Sequence, residues 1–193
     1  MPWNVDEAAE LAHDLLGDSE RFRHSQGVAQ RARELSVTVP AEQVELLVAA
    51  AWLHDVGYAA PLRGTGFHPL DGARGLVGLG VGSALTRLVA NHSAAWLVAR
   101  ALNLQHEMTA FLPLSGPTAD ALTAADQTIG PGGVAMTVDE RMRDMIERHG
   151  PDSSNARVHA ARAAELRATT SRVAVRLQRR GVTDSWLPGL SPR

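Results

Sequence analysis

The amino-acid sequence predicts an all-α protein. Apolar residues recur at helical spacing through most of its 193 residues, and residue types that favour helix starts and stops bracket the apolar segments. No segment shows the alternation of polar and apolar residues that is typical of a half-buried strand. The predicted helices cover residues 5–16, 19–37, 41–56, 68–78, 83–92, 94–103, 105–112, 118–128, 138–149 and 154–180.

The first three helices are defined by their ends and by their apolar residues. Ser19 is of a residue type that caps helix N-termini, and apolar residues at helical spacing follow it. The segment 41–56, which includes VELLVAAAWLHDV, is apolar on nearly every side and is expected to be a buried core helix. Gly57 is expected to end it, before a loop rich in proline and glycine. Trp52 and Trp96 are both expected in the core.

The later helices carry start signals of their own. Pro69 suits the first turn of a helix, and Thr137 with Glu140 three positions later forms a capping box. The segment rich in arginine and alanine predicts one long helix over 154–180. The tail at 181–193 is expected to be loose.

The composition excludes several classes of function. The chain has no cysteine, which excludes disulfide frameworks and thiolate metal sites. All 19 basic residues are arginine, which excludes Schiff-base chemistry and a P-loop lysine. A net charge of −2 gives no general attraction to nucleic acid or to an anionic membrane. The N-terminus lacks signal-peptide features and no apolar run has the length of a membrane span, so a cytoplasmic protein is expected.

Two adjacent polar residues, His54 and Asp55, end the most apolar helix of the chain. Burying a charged group there costs free energy unless the charge is compensated. A metal ion would compensate it, because a neutral imidazole and a carboxylate each offer a lone pair and the ion neutralises the buried charge. We therefore predict that this pair binds metal.

Four further residues of the same two types lie in or next to predicted helices: His24, His68, His92 and Asp126. Asp120 is the alternative to Asp126 for the last position. A set made only of histidine and aspartate suits one or two divalent transition-metal ions, with Fe, Mn, Zn, Ni and Co as candidates. The remaining histidines lack comparable partners and are predicted to be solvated: His13, His106, His149 and His159.

The order H…HD…H…H…D resembles the HD superfamily, and LHDVGY at 53–58 resembles the signature segment of that family. The resemblance spans about residues 20–130. It implies an HD-domain helical bundle that holds one or two divalent metals. The ligands it implies for a single metal are His24, His54, Asp55 and Asp126. The additional ligands of members with two metals match His68 and His92.

The resemblance also implies a domain organisation. A single HD-type helical domain is expected over 1–180, with its metal-binding core at about 20–130 and C-terminal helices at 137–180. The segment 181–193 would follow as a tail. Homodimerisation is compatible with this arrangement.

The activity that the resemblance implies is metal-dependent phosphoester hydrolysis, in which metal-activated water attacks a nucleotide or another small phosphoester. His54 and Asp55 are then candidate catalytic residues. Many relatives carry lysine directly after HD-x-Gly, where this chain has Tyr58. Arg63, in the loop between the HD pair and His68, is a further candidate catalytic residue that would bind a phosphate, and Arg74 is a weaker candidate.

Two other functions remain open at this point. HD-type mixed-valent di-iron oxygenases use the same order of six ligands, and a non-catalytic HD module would only bind a ligand or a partner. The arginines of the C-terminal helix do not form one stripe, because steps of five residues move around a helix. A solvated helix or a dimer contact is therefore favoured over an extended nucleic-acid surface. The expected partner is a small phosphoester, not a membrane.

Overall fold

The computed structural model of the chain describes residues 4–187. Within that part the regular structure is helical, and the only β-type pairing is an isolated bridge between Ile129 and Ala135. The predicted all-α class is therefore confirmed. None of the helices in the described range combines the length and apolar character that crossing a membrane requires. The α-helices are α1 (Val5–Leu16), α2 (Glu20–Glu34), α3 (Val44–Leu53), α4 (His68–Gly78), α5 (Ser83–Asn91), α6 (Ala95–Ala101), α7 (Pro117–Gln127), α8 (Val138–His149), α9 (Ser154–Arg157) and α10 (His159–Arg179).

Several helices end earlier than predicted because the chain tightens into 3-10 turns. After Glu34, the last residue of α2, such a turn covers Leu35–Thr38. The predicted helix 41–56 is α-helical only over Val44–Leu53, and short 3-10 turns precede and follow it. Tightening of this kind is common at helix ends. Asp55 has already left the helical conformation, with φ −103° and ψ 5°.

Two helix predictions for the second half of the chain were wrong. The segment 105–112 forms only a 3-10 turn over Glu107–Ala110, because Asn103 in the left-handed region and Pro113 leave room for little more than one turn. The long C-terminal helix is interrupted at Val158, with φ −104° and ψ 6°, and this residue separates α9 from α10.

Helix α3 lies at the centre of the bundle. It packs against α1, α2, α5 and α7, and every residue from 47 to 53 is buried. The C-terminal end of α3 therefore delivers His54 and Asp55 to the interior. Trp52 is buried, as predicted, but Trp96 is 39% exposed, so its predicted place in the core was wrong.

The turn after α3 packs backbone against backbone on α4. A Cβ atom at Gly57 would lie 2.0 Å from the carbonyl oxygen of His68 and 2.6 Å from the nitrogen of Gly72. No residue with a side chain fits this space unless α4 moves. The glycine thus fixes the distance between the His54–Asp55 turn and His68.

A buried ion pair joins α2 to the C-terminal segment. The side chain of Arg31 is 6% exposed, and its Nη2 lies 2.5 Å from Oδ2 of Asp184. Its Nε donates to Oγ1 of Thr128 just beyond α7, at 3.1 Å. Asp184 also accepts hydrogen bonds from the backbone nitrogens of Trp186 and Leu187. The segment expected to be loose is therefore anchored at Asp184 and at the buried Leu187, although its other described residues are exposed, and residues 188–193 lie outside the described residues.

We expect Asp184→Ala to lower the free energy of unfolding by about 1–3 kcal/mol, because it removes a charge-assisted hydrogen bond from the nearly buried Arg31 guanidinium, which then keeps Glu34 as its carboxylate partner. Asp139→Ala is the matched control, since the Asp139–Arg167 pair is exposed on both sides, and its loss should cost less than about 1 kcal/mol. Urea unfolding monitored by circular dichroism measures both values. Equal losses in the two variants would contradict the structural role of Arg31 and Asp184.

Candidate metal centre and adjoining cavity

Six polar side chains converge where α2, α4, α5, α7 and the C-terminal end of α3 meet. They are the predicted ligand residues His24, His54, Asp55, His68, His92 and Asp126. Their ligand atoms form three overlapping groups, and the atoms within each group lie within 4.8 Å of one another. Five of the six residues are buried, and the side chain of His68 is 24% exposed. The structure thus brings the six predicted positions together.

Asp55 lies in the middle of this cluster. Its Oδ1 is 3.2 Å from Nε2 of His68 and 3.6 Å from Nε2 of His54. Its Oδ2 is 3.9 Å from Nε2 of His24. Because its two oxygens face different histidines, Asp55 has the arrangement of a carboxylate that could bridge two ions. Asp126 lies on the other side, with Oδ1 3.1 Å from Nε2 of His24.

The backbone orients three of the imidazole rings in the same way. In each ring Nδ1 lies within hydrogen-bond distance of a main-chain carbonyl, and the opposite nitrogen, Nε2, is turned into the cluster. The pairs are His24 with Gly130 at 3.0 Å, His54 with Ala51 at 2.8 Å and His92 with Val89 at 2.6 Å. A carbonyl accepts only, so Nδ1 carries the proton and Nε2 keeps its lone pair.

The buried Nε2 of His54 has no hydrogen-bond partner among the described residues. Nε2 of His68 and Nε2 of His92 lie 3.4 Å apart. Buried polar atoms are normally paired, so an orphaned nitrogen among carboxylates and imidazoles calls for a further partner. A divalent cation fits this requirement, and the donor set of nitrogen and oxygen atoms suits a transition metal.

The electrostatics of the cluster favour the ligand forms of both residue types. Burial lowers the pKa values of His54, His68 and His92 against the opposing effect of the nearby carboxylates, and so favours the neutral imidazoles. Burial acts to raise the pKa values of Asp55 and Asp126, but the neighbouring histidines outweigh it and hold both well below the usual range. Neutral imidazoles and charged carboxylates are the forms that bind metal.

A strained turn follows His92. Ser93 and Ala94 both adopt the left-handed conformation, with φ values of 52° and 56°. Such a pair of non-glycine residues is costly and persists only where its surroundings hold it. The Ser93 hydroxyl donates to Oδ2 of Asp126, and Nε2 of Gln127 donates to the same oxygen at 2.8 Å. The turn thus leaves Oδ1 of Asp126 to face the histidines.

An aromatic stack lies beside the cluster, at the position where the resemblance led to an expectation of lysine. The ring of Tyr58 stacks on His68, with centroids 4.1 Å apart and an interplanar angle of 17°. The guanidinium of Arg21 lies 4.0 Å from the centre of the Tyr58 ring, and its Nη1 is 3.2 Å from Oδ2 of Asp55. Burial raises the pKa of Tyr58 to about 12, so the phenol stays neutral. A guanidinium therefore lies next to both Tyr58 and Asp55.

A cavity of about 330 Å³ opens beside the cluster. This volume is in the range of small-molecule sites. Four residues of the cluster line it, namely Asp55, His68, His92 and Asp126. Four arginines also line it: Arg21, Arg141, Arg148 and Arg162. The apolar part of its wall includes Phe67, Val98, Leu102 and Met145.

The two arginines proposed from sequence lie elsewhere. Arg63 is exposed, and its Nε donates to the carbonyl oxygen of Tyr58 at 3.0 Å. It is not among the residues that line the cavity, and neither is the exposed Arg74. A role for Arg63 in phosphate binding stays a prediction. The sequence offered no signal for Arg141 and Arg162, because their contacts with the site span long stretches of chain.

Two other buried acidic residues, one of them the alternative to Asp126, have partners of their own. Asp120 binds Arg172 and Arg176, at 2.7 and 2.6 Å, beside a separate cavity of about 440 Å³. Asp71 accepts hydrogen bonds from Thr65 and from the backbone of Gly66, so it holds the loop before α4. Asp126 is therefore the aspartate that α7 contributes to the cluster.

The ligand groups found among the described residues include none of the histidines predicted to be solvated. The side chains of His13 and His106 are exposed, and that of His159 is partly exposed. His149 lies at the end of α8, and its side chain is outside the described part of the chain.

The comparisons with known proteins agree with this architecture. The family model described as HD domain matches residues 21–129, which is more than half of the chain. Neither the curated proteins nor the solved structures gave a significant match. The matched region contains all six residues of the cluster. On this match, the chain belongs to the HD domain family.

Proposed function

We propose that the protein is a metal-dependent phosphohydrolase that acts on a nucleotide or another small phosphoester. The observation that supports this most is that residues of the histidine–aspartate cluster and four arginines line the same cavity. Guanidinium groups match the geometry and charge of phosphoryl oxygens. Family membership supports the same reaction class.

The residues that would hold one or two divalent ions are the six of the cluster. Divalent ions, when bound, supply the Lewis acidity that activates water and stabilises charge on phosphoryl oxygens. The overlap of the three ligand groups at His54, Asp55 and His92 supports two neighbouring ions. Which metal is bound is left to measurement, since the donor set suits several.

The main chain and the side chains together would orient the imidazoles of the cluster and a bound phosphoryl group. Main-chain carbonyls hold the imidazoles of His24, His54 and His92 with Nε2 facing inward. Tyr58 stacks on His68 and restricts the rotation of its ring. The arginines provide donors for a phosphoryl group above the cluster, and the cavity volume favours a small molecule over a polymer. Preorganised donors of this kind are a main source of rate enhancement.

A second candidate activity is that of an HD-type mixed-valent di-iron oxygenase. The observation that favours considering this activity is Tyr58, which stands where many relatives carry lysine. The two activities would share all six ligands, so the ligands do not separate them. Iron content together with oxygen consumption would distinguish an oxygenase from a hydrolase.

The proposed function is tested first by the metal content of protein purified without added metal, followed by assays on a panel of nucleotides and phosphate monoesters. We expect one or two transition-metal ions per chain and hydrolysis that a chelator abolishes. A protein that holds no metal and takes none up on reconstitution would contradict the proposal and favour a binding module. Full hydrolysis after complete metal removal would contradict it as well.

A further inference from the structure

Arg162 differs from the other arginines of the cavity in its partners. It lies on α10 and is 9% exposed, yet no carboxylate lies within ion-pair distance of it in the described range 4–187. By contrast, Arg21 pairs with Asp55, and Arg148 pairs with Asp144. The contacts of Arg162 are the carbonyl oxygen of Ser93, which accepts from Nε at 3.0 Å, and the sulfur of Met145.

A buried guanidinium without a countercharge is costly. The group has five N–H donors, and a thioether sulfur is a weak acceptor for one of them. Since Arg162 lines the cavity, an anion bound there could supply the missing charge and accept hydrogen bonds from the planar fork. Burial also lowers the pKa of Arg162, which agrees with a cation that lacks compensation.

Two arginines of α8 line the same cavity. Nη1 of Arg141 lies 3.2 Å from Oδ2 of Asp144, its Nη2 lies 3.6 Å from Oδ1 of Asp126, and its buried Nε has no partner among the described residues. Arg148 binds the same Asp144 at 2.6 Å. With Asp126 assigned to the metal cluster, Asp144 is the carboxylate paired with these arginines among the described residues, and it contacts Arg141 and Arg148 but not Arg162. Three guanidinium groups and one carboxylate leave an excess of two positive charges.

We propose that Arg162, Arg141 and Arg148 form an anion subsite that binds the phosphoryl oxygens of a phosphate monoester. This inference rests on the proposed function, and it names the substrate class for the same site. A terminal phosphoryl group carries close to two negative charges near neutral pH, whereas a diester carries one. The apolar wall beside Val98 and Met145 would contact the organic part of the substrate.

The subsite is supplied by a part of the chain outside the family match. Arg141, Arg148 and Arg162 all follow residue 129, where the HD domain match ends. The family region therefore contributes the metal ligands, and the C-terminal helices contribute the recognition of the substrate.

The test is the binding of inorganic phosphate to metal-loaded protein, measured by isothermal titration calorimetry, with metal content determined for every variant. Arg162→Met should weaken phosphate binding by about tenfold or more, and Arg148→Met by several-fold, because each removes charge-assisted hydrogen bonds. Arg167→Met is the matched control, since Arg167 lies on the same helix but is exposed and pairs with Asp139. It should bind phosphate like the unmodified protein.

Arg162 also holds the carbonyl of Ser93, so Arg162→Met could disturb His92 and with it the metal. If Arg162→Met loses metal, two other variants test the subsite. Arg162→Lys keeps the positive charge, and Arg148→Met contacts no residue of the metal cluster. Unchanged phosphate binding in both Arg148→Met and Arg162→Met would overturn the subsite. Binding of dimethyl phosphate as tight as that of inorganic phosphate would overturn the monoester class. Arginine-dependent phosphate binding without turnover of any ester would instead count against the proposed hydrolysis alone.

Discussion

His54→Ala is expected to leave the protein without bound transition metal and without phosphoester hydrolysis. His54 belongs to two of the three ligand groups, its side chain is fully buried, and its Nε2 lacks any hydrogen-bond partner in the described part of the chain. Removing a residue that only hydrogen-bonds to a metal ligand typically lowers metal affinity by about 10–100-fold. Removing the ligand itself should therefore lower metal affinity by more than about 100-fold. Elemental analysis after dialysis and an assay with an active phosphoester measure the two effects.

The control for this variant is His106→Ala, since that histidine is exposed and belongs to none of the three ligand groups. It should retain both metal and activity. Circular dichroism of metal-free His54→Ala separates loss of the ligand from loss of the fold, because the unmodified protein without metal provides the reference. If His54→Ala kept a full complement of metal and full activity, the assignment of the cluster as the metal centre would be wrong.

Gly57→Ala is expected to lower the free energy of unfolding by about 3 kcal/mol or more, because overpacking against a fixed backbone is among the costliest substitutions. The new Cβ would meet the carbonyl group of His68 at 2.0 Å and the nitrogen of Gly72 at 2.6 Å. Both contacts are with main chain, so no side-chain rotation relieves them. Helix α4 would have to move away from the turn that carries Asp55. Urea unfolding gives the change in stability, and elemental analysis shows whether the displaced His68 still contributes to metal binding.

Gly78→Ala is the matched control. Gly78 is the last residue of α4, the helix against which Gly57 packs, and a Cβ at Gly78 would meet nothing within 4 Å. Alanine also has the better helix propensity, so the change should be small and in the stabilising direction. An unfolding midpoint for Gly57→Ala equal to that of the unmodified protein would show that the turn and α4 are not packed as described.

The helices and the residues of the cluster could be predicted from the sequence because both leave local signals. Periodic apolar residues and caps such as Ser19 and Thr137 mark helix positions, and both side chains do cap their helices. The His54–Asp55 pair was conspicuous because charge at the end of an apolar helix requires an explanation. The weaker signals of the other ligands depended on their order along the chain.

The features that the sequence did not reveal depend on contacts between distant parts of the chain. Arg162 reaches Ser93 across 69 positions, and no local pattern distinguishes it from the exposed arginines of the same helix. The break at Val158 and the exposure of Trp96 are likewise set by packing, which overrides propensity. The left-handed conformation of Ser93 also lacks a signal, since neither it nor Ala94 is of a type that favours that region.

The left-handed pair at Ser93 and Ala94 has a consequence for attempts to engineer the protein. A chain selected only for thermal tolerance should accumulate glycine or asparagine at position 94, since these residues adopt positive φ at lower cost. Such replacements would also let the backbone between α5 and α6 relax into other conformations. Replacements at this turn that raise thermal stability would then lower activity, which is a stability–activity trade-off.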